Sequence, residues 1–157
     1  MPPVKLSEIK VDPAKIEAGA WVDGIPEFEG VRLKVRGLGC KEMQKLQRSL
    51  FEAIPRSRRP KGKVSQEDQD RILDRCLHEV VLLDWEGLQN DDDTPLAYDR
   101  AKALTFITDP AFKKFREAVV WAADTVANDK AEAFEATVGN SAASSAGSSP
   151  GAPASSI

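Results

Sequence analysis

The stretch GVRLKVRG, residues 30–37, places the first constraint on this chain. Val31, Leu33 and Val35 alternate with Arg32, Lys34 and Arg36, and a period of two marks a strand with one buried face and one basic face. A single strand must pair with something. The nearest partner is AGAWVDG, in which Trp21 and Val22 precede the turn-forming Asp23 and Gly24. An isolated hairpin is marginal in water, so this small antiparallel pair is expected to pack on helices.

Helical spacing dominates the rest. In KEMQKLQRSLFEAI, Met43, Leu46, Leu50 and Ile54 recur at steps of three and four, and Pro55 ends the pattern. RSRRPKGK, residues 56–63, is charged and broken by Pro60 and Gly62, as in an exposed loop. Ser65 and Asp68 form a weak capping box before Ile72/Leu73, Cys76/Leu77 and Val80/Val81, a wide apolar face. That helix is expected to run into VLLDWEGL, with Trp85 folding back at its exit. Asp99 is the expected N-cap of the short helix RAKALTFI, and Asp109 with Pro110 opens the last one. There Phe112, Phe115, Val119, Ala122 and Val126 form a stripe that extends toward Phe134, with Trp121 off the stripe.

Beyond Val138 the chain turns to GNSAASSAGSSPGAPASSI, small and uncharged residues that cannot build a core. The expected organisation is one domain over residues 1–138 and a flexible, disordered C-terminal tail over 139–157. The fold class is α+β, mostly α, with a small N-terminal β-hairpin packed on a helical domain. Lys and Arg number 22 against 25 Asp and Glu, a formal net charge of −3 that attracts neither nucleic acid nor anionic lipid globally. The first residues lack an apolar run of signal-peptide length, and no stretch reaches the ~18 apolar residues of a membrane span. A reducing cytoplasm is the expected compartment, with Cys40 and Cys76 as thiols.

The residues of chemistry are sparse. His78 is the only histidine, on an apolar helix, where a structural role is favoured over a catalytic one. Asp91, Asp92 and Asp93 lack the alternation, glycine and distal Glu of a calcium loop and read as a solvated acidic loop. No phosphate loop, nucleophile elbow or dinucleotide fingerprint occurs, so a non-enzyme without cofactor or metal is expected. The basic loop could grip phosphates, with a patch widened by Arg32, Lys34 and Arg36 if they lie on the same side, but without interleaved aromatics or a basic helix face an ordinary exposed loop is the favoured reading.

The order AKIEAGAWVDG, GVRLKVRG, RILDRCLHEVVLLDWEGL, DDDTPLAYD and ITDPAFKKFREAVVWAA resembles the tail assembly chaperone family of long-tailed bacteriophages and prophages, over Lys15 to Ala123. The acidic loop departs from that pattern: Asp93 meets Thr94 where the family commonly has a Gly after its acids, and Ala97 rather than Pro precedes Tyr98. The resemblance implies a protein of the host bacterial cytoplasm that binds the tape measure protein, keeps its apolar helices soluble and helps tail tube protein polymerise around it. The candidate partner-binding residues are Trp85, Leu88, Phe112, Phe115 and Val119, with Arg58 and Arg59 in the basic loop. For Trp85 the favoured reading is closure of the core at the helix exit. A structural tail or neck component, a small nucleic-acid-binding protein and self-association through the strand edge stay open as alternatives.

Overall fold

Leu33 and Val35 are fully buried, as their alternation requires, and belong to the middle strand of a three-stranded antiparallel sheet. The computed structural model describes residues 2–128. Pro13–Asn128 forms one compact unit, while residues 2–12, with a 3-10 turn at Leu6–Ile9, belong to another. Helix α1 (Pro13–Ala18) leads into β1 (Ala20–Val22), which pairs with β2 (Arg32–Val35) as expected, Ala20 opposite Val35 and Val22 opposite Leu33. On the other face Trp21 lies opposite Lys34, and the Arg32 guanidinium stacks 4.8 Å from the Trp21 ring centroid.

The sheet has one strand more than the expected hairpin. Helix α2 (Lys41–Ala53) and helix α3 (Gln66–Cys76) form as the spacing predicts, and Ser65 caps α3 by accepting the Asp68 N–H at 3.1 Å. The helix then widens into a π turn over Leu77–Val81 and passes with no intervening loop into β3 (Leu82–Glu86), on the free edge of β2. The carbonyls at this helix end find donors on the chain of β2: the Arg36 N–H bonds Val81 O at 2.9 Å, and its guanidinium bonds Val80 O at 3.3 Å.

A bulge explains why LLDWE hid its strand. Lys34 pairs with Asp84 and Val35 with Leu82, so Leu83 is an extra residue in β3. Strict alternation would send Leu82 and Trp85 to opposite faces. With Leu83 inserted, both reach the core, at 2% and 3% exposure, while Asp84 and Glu86 are directed away from it.

Asp99 caps helix α4 (Arg100–Thr108) by accepting the Lys102 N–H at 2.8 Å, and Asp109 caps a 3-10 turn at Pro110–Phe112 that opens helix α5 (Lys113–Asn128). Phe115, Ala118, Val119, Ala122, Ala123 and Val126 form the buried stripe of α5. Its alanines bring the helix close to the sheet, close enough for the Leu38 N–H to bond Ala123 O at 3.0 Å. Helix α2 has no side-chain cap of its own, and the Glu17 carboxylate of α1 takes the Lys41 N–H at its positive end. The result is a mostly helical α+β fold with a small antiparallel sheet, as expected. The expected continuation of α5 to Phe134 and the 139–157 tail lie outside the described residues.

Candidate functional site

Trp85 is a hub rather than a surface anchor. Its indole N–H donates to Leu96 O at 2.8 Å, and its ring lies 4.9 Å from Tyr98, 5.8 Å from Phe106 and 5.8 Å from Phe115, centroid to centroid. The favoured reading from sequence, a ring that closes the core where the helix ends, matches this geometry. Four separate segments meet on this one side chain: β3, the 88–98 loop, α4 and α5. Edge-on and tilted contacts of this kind add stabilisation beyond the area buried.

Above the hub the aromatic packing continues outward and stops short of closing. Phe106 contacts Phe115 at 5.5 Å and Phe112 at 4.7 Å, and Phe112 remains 40% exposed. Phe28, Leu88, Leu96, Phe106 and Phe112 border an apolar cleft of about 260 Å³, with Lys114 at its rim in an ion pair with Glu27 at 3.1 Å. The candidate residues therefore separate. Leu88, Phe112 and, from a largely buried position at 5% exposure, Phe115 line the cleft, whereas Trp85 and Val119, at 3% and 0%, are core packing and do not line it. Phe28, Leu96 and Phe106 were not singled out from sequence. Phe28 is a lone aromatic in GIPEFEG with no periodicity around it, and the signal for Phe106 was only its place in RAKALTFI.

The acidic loop folds on itself. Asp92 Oδ1 accepts from the Thr94 N–H at 3.1 Å and the Thr94 hydroxyl at 2.6 Å, and these bonds hold the Asp92 carboxyl below its ordinary range. Asp93 adopts φ 69°, the left-handed region that Asp tolerates better than most residues. Among the described residues no group of three or more His, Cys, Asp or Glu side chains is arranged to hold a metal.

Two arginines of the basic loop, Arg58 and Arg59, are engaged within the fold. Arg58 donates to Asp68 at 2.6 Å, a carboxylate only 2% exposed that also accepts from Arg71. Burial opposes the charge of Asp68, but the Arg71 hydrogen bond, the Arg58 charge and the Ser65 contact outweigh it and lower the pKa. Arg59 donates to Ile54 O at 2.7 Å and stacks 4.9 Å over Phe51. The basic face of β2 does not extend this patch: Arg32 pairs with Glu86 at 3.2 Å, Lys34 lies opposite Asp84, and Arg36 is turned to the π turn.

His78 Nε2 bonds Arg100 O at 2.9 Å and ties the π turn to α4. Cys40 and Cys76 are buried free thiols, and burial, helped by Glu79, pushes the Cys76 pKa up to about 11. No helix among the described residues is long and apolar enough to cross a membrane.

Fold and surface together define a small, mostly helical α+β protein with an aromatic cleft over a buried aromatic cluster. The family model described as YdaY prophage protein matches residues 38–140, well over half of the chain, and the chain belongs to that family. The match begins just after β2 and takes in the hub, α4 and α5. The phage association expected from the sequence is thereby shown; the family description specifies no role in tail assembly. No curated protein and no solved structure matches the chain.

Proposed function

We propose that this prophage protein is a non-catalytic tail assembly chaperone of the bacterial host cytoplasm, whose aromatic cleft receives an apolar helix of the tape measure protein and holds it for assembly of the tail tube. The observation that carries this reading is the cleft itself. A 40%-exposed Phe112 beside Leu88 and Phe106 is apolar surface left unfinished on an otherwise closed aromatic cluster. Such surface is stabilised when a partner covers it, and an amphipathic helix laid in a groove is a common way to do so. The rigid base formed by Trp85 keeps the cleft from collapsing, so little ordering cost is left to the binding step.

The test is co-expression with the tape measure protein of the same genome, followed by affinity pull-down and a soluble-fraction assay. A soluble complex is expected for the native chain. Phe112→Asp and Leu88→Asp are expected to abolish it while the thermal melt of the bait stays cooperative. An insoluble client with a folded bait and nothing co-purifying would overturn the reading, and recovery of the protein in purified particles would mark it as a structural tail component instead.

A further inference from the structure

Helices α2 and α3 touch at their base, where the Cys76 thiol lies 3.9 Å from Met43 O, but they do not close over their outer side. Phe51, Val64, Ile72 and Leu73 are each only half-buried and line an open groove of about 530 Å³. The two walls carry opposite charge, Arg48 on α2 and Asp70 on α3. Several neighbouring charges are paired: Arg58 and Arg71 bind Asp68, Lys45 pairs with Glu42, and Arg75 with Glu79. Arg48 has no partner among the described residues, and Asp70 has only the neutral Gln66 amide, at 3.0 Å.

A free cation and an anion without a cation, on opposite walls of one apolar groove, make a surface complementary to itself. We propose that this groove is the contact face of a symmetric homodimer. A two-fold axis running along the groove lays α2 of one copy over α3 of the other, so that Arg48 meets the partner's Asp70 and the same pair repeats across the axis. Phe51, Ile72 and Leu73 of both copies then fill the space between two helix layers, in the manner of a four-helix bundle. The groove shares no lining residue with the aromatic cleft, so each copy keeps its cleft, and the dimer does not depend on the chaperone reading.

Sedimentation equilibrium of the full chain over a wide concentration range tests this. The expected mass rises on concentration to twice the 17.1 kDa of one chain. Arg48→Glu and Asp70→Arg each set like charges against each other at two places, and each is expected to weaken the dimer by about tenfold or more. The double variant restores both pairs with their signs exchanged and is expected to return the dissociation constant toward that of the native chain. Circular dichroism melts confirm folding of each variant, and Arg48→Gln with Asp70→Asn serve as milder replacements. A monomer at every concentration, a dimer indifferent to either reversal, or single losses that the double variant does not recover would each overturn the proposal.

Discussion

Around Trp85 the rings of Tyr98, Phe106 and Phe115 lie 4.9 to 5.8 Å from its own, and the indole N–H is satisfied. Between α2 and α3, by contrast, Phe51, Ile72 and Leu73 border open space, and what holds that side together is largely polar: Arg58 and Arg71 on Asp68, and Arg59 on Ile54 O. Both regions are rich in large apolar side chains. They differ in how many chain segments meet there. Four segments converge on Trp85 and can surround it, whereas two helices joined by a charged loop can cover only one side of each other. Apolar content alone therefore does not make a core; enclosure from several directions does.

The largest expected effect comes from breaking the enclosed region. Trp85→Ala removes the hub, strands the Leu96 carbonyl and leaves a cavity, and should cost about 3–5 kcal/mol, read from urea or thermal unfolding. A loss below about 1 kcal/mol would show that the cluster is not what holds this end of the fold. Phe51→Ala on the open side should cost less, roughly 1–2 kcal/mol, because its ring is already half in water and truncation opens no sealed cavity. An equal loss at both positions would erase the contrast between the regions.

The smallest effect is confined to acid and belongs to the polar side. The folded pKa of Asp68 lies below its ordinary value of 3.8, so its carboxylate contributes stability that is fully present above the unfolded pKa and is lost as pH falls through the folded one. Asp68→Asn should therefore be less stable than the native chain near neutral pH, and the gap should narrow below about pH 4. Melting both proteins across that range measures it. A gap that stays constant with pH would mean that the paired charge is not the source of the contribution.

Much of the local structure was legible because it is decided over a few residues. Ser65, Asp99 and Asp109 cap the turns they precede, Pro55 ends α2, and the alternation of residues 31–35 becomes the middle strand of the sheet. The site was legible only in part. Leu88, Phe112 and Phe115 do line a cleft, but Val119 carries the same helical signature and is core packing, and periodicity cannot say whether a stripe residue meets open surface or the rest of its own domain. The charge of Arg58 and Arg59 was plain, but their commitments were not, since Asp68 is ten residues from Arg58 and reaches it only after the chain has turned back.

By itself, the sequence determined that a basic-faced strand would pair with the segment before it, that helices would follow with their caps in place, and that the balance of charge would leave any electrostatic partner to local patches. Tertiary structure alone decided that LLDWE would leave its helix through a π turn and become a third strand, since the edge of β2 offers donors and acceptors for it and the bulge at Leu83 brings Leu82 and Trp85 to one face. Tertiary structure likewise decided which apolar side chains would stay exposed. Caps and alternation act through neighbours in the chain, whereas enclosure depends on segments that are remote in sequence and adjacent only once folded.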